Sequence, residues 1–322
     1  MDLHTRYLGL DLPHPFVVGA CPLSDDVDMV RRLEDAGAAA LVMRSLFQEQ
    51  VAEDAGRIPR DSPADPMDVS GPRGPDQYLE QIRRLKAAVD LPIVASLNGT
   101  TPGRWLECAR LFEEAGADAI EVDFYFVATD PRDGADVVEE RVLEMVRMVL
   151  ADVQIPVAVK LSPFFTALAS FARRLDRIGI RGLALFNRFY QPDIDPQELR
   201  VTPTLQLSDS SELLLRLRWL AILCDRIVAP LAVTGGIHDA QDAIKGIMAG
   251  ASAVQVVSAI LRDGPERIGQ LRRDVIDWMR ARDYESLGQM RGQMSLLRCR
   301  DPQEFERVNY LRVLQGWTGA PG

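Results

Sequence analysis

One short phrase recurs four times in the chain and limits the folds that it can adopt. Each copy ends a helical segment in Ala-Gly or Ile-Gly, and an apolar run begins two or three residues later; the copies lie at 36–41, 115–120, 178–183 and 249–254. Glycine at such a point is typical of the left-handed residue that ends an α-helix. The repeat therefore predicts short, uniform turns from helix to strand.

Apolar, β-branched runs alternate with amphipathic segments along most of the chain. We predict eight strands, at 16–21, 39–45, 92–99, 119–126, 156–162, 182–189, 231–236 and 253–260. The predicted helices lie at 25–36, 76–89, 102–115, 137–153, 166–178, 211–227, 240–249 and 265–282. Alternation alone would also suit a doubly wound sheet, but eight units and the repeated turn favour a (β/α)8 TIM barrel.

Segments outside these eight units complete the predicted architecture. Residues 5–15 predict an N-terminal β-hairpin that closes the floor of the barrel, and 15–282 form the barrel core. Residues 283–322, helical and charged over 284–314, predict a C-terminal helical extension. Since no linker of different composition interrupts the chain, we expect a single domain over 1–322.

The connections that leave the strands are much longer than those that leave the helices. They cover 45–76, 126–137 and 189–210. Loops of this length inside a compact domain are usually functional or disordered, and barrels build their active sites where strands end. The asymmetry predicts an enzyme or a ligand-binding protein.

Composition excludes several classes of partner. The net charge of −10 argues against nucleic-acid and anionic-membrane partners. Four cysteines and three histidines are scattered without a CxxC pair, so neither a metal site, a disulfide framework nor a plant-type iron–sulfur cluster is predicted. No signal-like start and no apolar run of membrane-spanning length is present. We expect a cytoplasmic protein with a small-molecule substrate.

Lys160 interrupts the buried character of the fifth predicted strand, between Pro156 and Pro163. A lysine is almost never fully buried without a partner. Its ammonium either reaches water along the strand end or points at an anion. Two catalytic roles fit: contact with a flavin where negative charge develops on reduction, or formation of a Schiff base as in aldolases.

Two neighbouring strand ends predict a phosphate site. Gly235 and Gly236 end the seventh strand and leave bare backbone N–H groups, and Val257 and Ser258 end the eighth. Barrels often hold phosphate at this pair of strands, although a tight turn would also use two glycines. Asn98 and Asn187 end the third and sixth strands. Their amides would suit the edge of a planar ligand, or serve as ordinary loop amides.

Several stretches resemble dihydroorotate dehydrogenases, in order and over nearly the whole chain. They lie at 8–16, 157–163 and 234–256, and the phrases at 129–131, 160–165 and 185–194 are similar to the dihydroorotate dehydrogenase-like subgroup of the soluble class 1 type. The resemblance implies FMN in the barrel mouth and hydride transfer between flavin N5 and a C–C bond of a small, anionic substrate. It also implies a homodimer.

The resemblance also implies a set of cofactor-binding residues. Lys160 and Asn187 would contact the flavin ring, and the glycine pair with Val257 and Ser258 would hold the phosphate. The full cofactor-binding set is Ala20, Cys21, Arg44, Ser45, Asn98, Asp123, Lys160, Asn187, Gly235, Gly236, Val257 and Ser258.

The substrate half of the pattern is altered. Soluble dihydroorotate dehydrogenases carry Asn-Leu-Ser-Cys-Pro-Asn after strand four, with the cysteine as base, whereas this chain has Asp-Phe-Tyr-Phe-Val-Ala at 123–128. Phe126 takes the position of the base, Asp123 and Ala128 those of the asparagines, and Arg44 that of a lysine after strand two. Each unmatched buried polar partner costs about 1–3 kcal/mol, so we expect a substrate other than dihydroorotate.

Tyr125, beside the lost cysteine, is the predicted proton-transfer residue, together with Lys160 as a catalytic residue; Cys21 is the alternative base. Regular alternation would place Asp123 and Tyr125 on one face of the strand. Arg44 would bind a carboxylate or pair with Glu49 or Asp54. True dihydroorotate oxidation in pyrimidine biosynthesis, a Schiff-base lyase or aldolase, and a non-catalytic FMN-binding barrel stay open as alternatives. The acidic charge disfavours a dihydrouridine synthase.

Overall fold

The structure, a computed structural model, describes residues 1–54, 74–188, 191–202 and 205–316. Its strands are β1 (Thr5–Tyr7), β2 (Leu10–Leu12), β3 (Phe16–Val18), β4 (Leu41–Val42), β5 (Leu46–Phe47), β6 (Ile93–Asn98), β7 (Ala119–Asp123), β8 (Val157–Leu161), β9 (Gly182–Leu185), β10 (Asp193–Asp195), β11 (Arg200–Thr202), β12 (Leu231–Thr234) and β13 (Ala251–Val256). Its helices are α1 (Val27–Asp35), α2 (Gln48–Asp54), α3 (Pro75–Ala88), α4 (Cys108–Glu114), α5 (Ala135–Asp152), α6 (Leu168–Arg177), α7 (Leu213–Leu223), α8 (Ala240–Ala249), α9 (Ser258–Asp263), α10 (Arg267–Arg280), α11 (Leu287–Met290) and α12 (Arg307–Gln315).

A closed parallel barrel forms the centre of the molecule. The hydrogen-bonded order of its strands is β4-β3-β13-β12-β9-β8-β7-β6-β5, and β4 also pairs with β6, which closes the sheet. The short segments β4 and β5 both pair with β6 and together occupy one strand position. The predicted (β/α)8 barrel is therefore confirmed.

The four repeated glycines adopt the predicted conformation. Gly37, Gly116, Gly179 and Gly250 all have positive φ, between 86° and 129°. At Gly37 and Gly116 the backbone N–H bonds back to a carbonyl in the last turn of the preceding helix. The chain thereby leaves each helix directly toward the start of the next strand, as a Gly C-cap allows.

The N-terminal hairpin fills one end of the barrel. β1 and β2 pair antiparallel, and the buried side chains of Tyr7, Leu8 and Leu12 pack among small inward-facing residues. Those small residues are alanines on five strands: Ala119, Ala158, Ala184, Ala232 and Ala253. Because alanine leaves room beneath the ring of Tyr7, the hairpin enters the barrel as a plug. The predicted closure of the floor is confirmed.

Toward the other end of the barrel the inward positions become polar. Two residues beyond the alanines, the alternation of β7, β8 and β13 places Glu121, Lys160 and Gln255 inside. All three are buried. The chain thus supports an apolar layer at the floor and a charged layer near the strand ends.

Most strands end earlier in the structure than predicted, at their C-terminal ends. The observed strands end at Val18, Val42, Asp123, Leu185 and Val256. Residues 258–260, predicted as strand, lie in helix α9 instead. Apolar residues continue past these ends because they pack around the barrel mouth, so hydrophobicity alone does not mark where the ladder stops.

Two of the predicted long loops contain regular structure. The first includes β5 and α2, and the third includes the antiparallel hairpin of β10 and β11. Part of the first loop, 55–73, lies outside the described residues. These elements are short, and their sequences carry no sustained period.

The C-terminal extension is less helical than predicted over 284–314. Helices α11 and α12 are separated by turns, and Gly292 has a φ of 74°. The N–H groups of Gly292 and Met294 donate to the carbonyls of Ile247 and Met248 at the end of α8. These backbone hydrogen bonds to α8 replace those that a continuous helix between α11 and α12 would make. No helix in the described part of the chain is both long and apolar enough to span a bilayer.

Candidate active site

A cavity of about 220 Å³ lies at the C-terminal ends of the barrel strands. It is framed by the ends of β3, β8, β12 and β13 and by the segment after β9. Eight of the predicted cofactor-binding residues line it: Ala20, Cys21, Lys160, Asn187, Gly235, Gly236, Val257 and Ser258. The long segment after β11 contributes Leu205, Leu207 and Ser208, which sequence analysis did not select.

The glycine pair after β12 turns in a space that only glycine fits. Gly235 and Gly236 have φ values of 86° and 78°. A Cβ on Gly236 would lie 2.6 Å from the backbone nitrogen of Leu213, and one on Gly235 would lie 2.6 Å from Nη2 of Arg216. Backbone atoms of Leu213 cannot move aside as a flexible side chain can. The turn is thus fixed by close contact with the start of α7.

Hydroxyl groups and a backbone donor converge beside this turn. The N–H of Gly236 donates to Oγ of Ser208 at 3.3 Å, and the Ser208 hydroxyl donates to Oγ of Ser258 at 2.9 Å. Nε2 of His238 lies 3.3 Å from the same Ser208 oxygen. Ser208 is almost fully buried. This donor set has the chemistry of a phosphate cradle.

Arg216 supports the turn from behind. Its buried guanidinium donates to the carbonyls of Thr234 and Glu212, the second at 2.6 Å. Burial lowers the pKa of Arg216, which the carboxylate of Glu212, 3.6 Å away, partly offsets. Both hydrogen bonds fix the guanidinium against the backbone beside Gly235.

Lys160 is buried between two carboxylates of the neighbouring strand β7. Its Nζ lies 3.5 Å from Oε1 of Glu121 and 3.8 Å from Oδ2 of Asp123. Burial alone lowers the pKa of Lys160, but the two carboxylates outweigh it, and the pKa is raised above its ordinary value. The ammonium therefore stays charged at neutral pH.

Asp123 is the carboxylate nearer the end of β7. Nδ2 of Asn187 donates to its Oδ1 at 2.7 Å. Burial raises the pKa of Asp123 to about 6, and Glu121 adds to the rise, although Lys160 and hydrogen bonds from Asn98 and Asn187 act in the opposite direction. Both predicted asparagines therefore support Asp123, and Asn187 also lines the cavity.

Glu121 and Gln255 were missed by sequence analysis. Glu121 is completely buried, and its Oε2 accepts a 2.7 Å hydrogen bond from Nε2 of Gln255. The amide oxygen of Gln255 has no hydrogen-bond partner among the described residues, and Gln255 lines the cavity. A sequence signal for both was available. Glu121 and Gln255 are polar residues inside otherwise apolar strands, each two positions beyond an inward-facing alanine, as Lys160 is.

Other predicted residues lie outside the cavity lining. Nη2 of Arg44 is 2.8 Å from Oδ2 of Asp25, a partner that sequence analysis did not consider; the predicted pairing with Asp54 lies outside the described side chains. Oγ of Ser45 lies 2.7 Å from Oγ of Ser96. Arg44 and Ser45 therefore do not line the cavity.

The segment after β7 departs from the expected alternation. Asp123 faces inward and Phe124 is buried in the outer core, but β7 ends at Asp123, and Tyr125 does not line the cavity. The ring of Phe126 lies under the guanidinium of Arg141, at 5.5 Å from the ring centroid. Cys21 does line the cavity, and burial raises the pKa of its thiol to about 11, which makes it a neutral thiol at ordinary pH.

The profile of the family described as Dihydroorotate dehydrogenase matches residues 2–279 of this chain. The chain belongs to the dihydroorotate dehydrogenase family. The resemblance found in the sequence is thus confirmed, and membership supports the predicted enzyme class, a flavin-dependent oxidoreductase acting on CH–CH groups. Within the described residues, no cluster of three or more His, Cys, Asp or Glu side chains could hold a metal ion.

Relatives in this family are distant but match along most of their length. The catalytic subunit of dihydroorotate dehydrogenase B (NAD(+)) from Methanothermobacter thermautotrophicus is 25% identical over 305 residues, covering 90% of this chain and 97% of that protein. The NAD-dependent dihydropyrimidine dehydrogenase subunit PreA of Escherichia coli K12 is 25% identical over 317 residues, covering 90% and 76%. The chloroplastic dihydropyrimidine dehydrogenase (NADP(+)) of Arabidopsis thaliana has the same identity over 325 residues, with the same coverage.

Proposed function

We propose that this chain binds FMN at the barrel mouth and catalyses hydride transfer between the flavin and a C–C bond of a small substrate other than dihydroorotate. The observation that carries the proposal is the pairing of two features in one cavity. A buried ammonium, Lys160, lies at the charged layer, and a cradle of Gly236 N–H and two serine hydroxyls lies beside the turn after β12.

The cradle residues suit the phosphate of FMN. Gly236 supplies a backbone donor, and Ser208 and Ser258 supply hydroxyls that reorient to donate to an anion. Arg216, fixed behind Gly235, adds a positive charge close to the same turn. FMN is favoured over a cofactor without phosphate for this reason.

The charged layer suits the ring of a flavin. When bound, the flavin supplies the hydride acceptor that no amino-acid side chain provides. Lys160 holds a fixed positive charge where negative charge develops on reduction, in surroundings where water is excluded. Gln255 and Asn187 line the same cavity. The side-chain amide oxygen of Gln255, which has no partner among the described residues, and the side-chain amide of Asn187 would hydrogen-bond polar edges of the ring.

The substrate is proposed to differ from dihydroorotate. Asp123 and Ala128 replace the two asparagines of the dihydroorotate dehydrogenase pattern, and Phe126 replaces its catalytic base. In addition, Asp123 already accepts hydrogen bonds from Asn98 and Asn187. A site built to hydrogen-bond one substrate discriminates strongly against a ligand that leaves those groups unmatched.

The state of Lys160 disfavours the alternative aldolase. Attack on a carbonyl needs a neutral amine, which enzymes obtain by lowering the pKa of the lysine. Here two carboxylates raise the pKa of Lys160. Trapping of a carbonyl substrate on Lys160 with borohydride would favour the lyase instead.

Assembly is proposed by analogy with the family alone. The relative from Methanothermobacter is named as a catalytic subunit, which implies a further subunit in that protein. For this chain we propose a homodimer. Light scattering of the purified protein tests the dimer directly.

The proposal is tested by incubating purified protein with FMN, removing free flavin and recording the visible spectrum. We expect a yellow protein with about one flavin per chain, and much weaker retention of riboflavin, which lacks the phosphate. A colourless protein that gains no flavin spectrum would refute the proposal. Anaerobic mixing of the yellow protein with candidate reductants, followed by bleaching at the flavin band, then identifies the substrate.

A further inference from the structure

The charged layer, taken together with Asp123 at the next inward position of β7, holds one more carboxylate than it has cations. Glu121 and Asp123 carry two negative charges, and among the described side chains Lys160 carries the one positive charge within 4 Å of them. Each of the three side chains is at most 8% exposed. In such surroundings a further negative charge is costly, because Coulomb repulsion is weakly screened.

Apart from Arg188, which also lines the cavity, the groups around this layer are neutral. The strand ends next to it contribute neutral groups: Cys21 after β3, Asn98 on β6, Asn187 after β9, Thr234 on β12 and Gln255 on β13. The thiol of Cys21 stays protonated because burial raises its pKa.

Nearby arginines already pair with carboxylates of their own. Arg44 is 2.8 Å from Asp25, and Arg188 and Arg216 both lie 3.6 Å from Glu212. Glu212 offsets only one of its two arginines, so one positive charge remains beside the turn after β12. Neither arginine lies within 4 Å of Glu121 or Asp123, so the excess negative charge stays with the group of Glu121, Asp123 and Lys160.

The two carboxylates differ in how they are held. Glu121 accepts a hydrogen bond from Gln255 on one oxygen and pairs with Lys160 on the other, at a fully buried position. Asp123 lies one inward position closer to the mouth, where its Oδ2 is 3.8 Å from Lys160. Asp123 does not itself line the cavity, but it contacts Lys160 and Asn187, which do. Its side chain is 6% exposed, whereas that of Glu121 is fully buried. Asp123 is therefore the more accessible of the two carboxylates.

We infer that Asp123 is the proton acceptor of this site: its carboxylate binds a proton when two electrons enter the flavin beside Lys160. The inference rests on the proposed function. Burial already raises the pKa of Asp123 to about 6, so the carboxylate is ionised at neutral pH but needs only a modest additional shift to become protonated.

The step balances in charge and atoms. A hydride equivalent, two electrons with one proton, passes from the reductant to the flavin and leaves one added negative charge at the ring. One further proton passes from water, or from the carbon next to the oxidised carbon of a substrate, to the Asp123 carboxylate. In the substrate case the electron pair of the broken C–H bond forms the new C=C bond, and Asp123 returns the proton to solvent on reoxidation.

The test measures the reduction potential of the FMN-loaded protein from pH 6.5 to 8.5, with dithionite as reductant and a redox dye as reference. One proton taken up per two electrons changes the potential by about 30 mV per pH unit, so uptake of two protons gives about 60 mV. We expect the wild type near the larger slope and Asp123→Asn near the smaller. Asp118→Asn is the matched control, since Asp118 precedes the same strand at the opposite end and pairs with Lys86.

An infrared difference spectrum, reduced minus oxidised, gives a second measurement on the wild type and both variants. We expect a new carboxylic-acid carbonyl band that is absent from Asp123→Asn and present in Asp118→Asn. Equal slopes in wild type and Asp123→Asn, no such band in the wild type, or a band that persists in Asp123→Asn would each overturn the inference while leaving FMN binding intact. A wild type that binds no flavin would overturn the proposed function, and the inference with it.

Discussion

Lys160→Met separates the electrostatic role of the buried lysine from its size. Methionine keeps most of the length of the side chain and removes the charge, so the carboxylates of Glu121 and Asp123 lose the ammonium that lies 3.5 and 3.8 Å from them. Removing one partner from a buried ion pair costs about 3–5 kcal/mol, since an uncompensated charge stays in the interior. We expect a loss of this size in the free energy of unfolding of the flavin-free protein at pH 8.

The effect should depend on pH with a defined sign. The pKa of Lys160 is raised in the folded state, so its contribution is fully present below its ordinary value of 10.5 and is lost only as pH rises through the folded value. Lys160 lowers the pKa of Asp123, which is about 6 in the wild type, so this pKa rises further in Lys160→Met. Protonation of Asp123 at low pH then removes one of the two buried, uncompensated charges of the variant. The destabilisation by Lys160→Met should therefore be smaller at pH 5 than at pH 8.

Urea unfolding followed by circular dichroism measures both effects. Lys86→Met is the matched control, because Lys86 also pairs with an aspartate, Asp118, at 2.8 Å, but both side chains are about one-third exposed. Exposed pairs contribute about 0–1 kcal/mol. Adding Asp123→Asn to Lys160→Met should restore part of the lost stability. Equal losses in Lys160→Met and Lys86→Met, or no rescue by Asp123→Asn, would refute the electrostatic account of this layer.

Three further predictions concern the same cavity. Gly236→Ala should destabilise the protein by about 2–5 kcal/mol in thermal or urea unfolding and abolish FMN retention, because left-handed backbone strain adds to a clash with the backbone of Leu213. The control is Gly179→Ala, where φ is 100° and no atom lies within 4 Å of the new Cβ. It should be destabilised by backbone strain alone, about 1–3 kcal/mol, and should keep FMN. Asp123→Asn should remove part of the pH dependence of the free energy of unfolding. Because the pKa of Asp123 is raised in the folded state, its stabilising contribution is fully present below pH 3.8 and is lost as pH rises through about 6. In urea titrations between pH 4 and 8, the wild type should therefore lose up to about 3 kcal/mol more unfolding free energy than the variant. Ser208→Ala should weaken retention of FMN several-fold in equilibrium dialysis without changing that of riboflavin, and an equal loss for both flavins would exclude a phosphate contact.

The fold was predictable because its signals are local and repeated. The turn glycines need a left-handed conformation, and glycine adopts it without a Cβ penalty, so Gly37, Gly116, Gly179 and Gly250 mark the helix ends in the sequence itself. Strand ends carry no such mark. Phe124 continues the apolar pattern of β7 into the outer core after the ladder has stopped, which is why the predicted strand was too long.

The site was predictable where one strand end sufficed and not where distant segments meet. Lys160, Gly235 and Gly236 stand out in the sequence, and all three line the cavity. Ser208 does not, since it lies in a long segment whose path to the cradle depends on tertiary packing. The Arg44–Asp25 pair was missed for the same reason: the two residues are not neighbours in any single element.

The alanine layer and the hairpin that fills it have a consequence for turnover. Tyr7, Leu8 and Leu12 occupy the floor of the barrel, and the cavity lies at the opposite end. In the described structure, small molecules would reach a cofactor in this cavity from the strand-end side of the barrel. The substrate that reduces the cofactor and the acceptor that reoxidises it would then bind in turn at the same opening, each leaving before the other binds. Steady-state rates would accordingly give parallel double-reciprocal lines, with each partner acting as a competitive inhibitor of the other at high concentration.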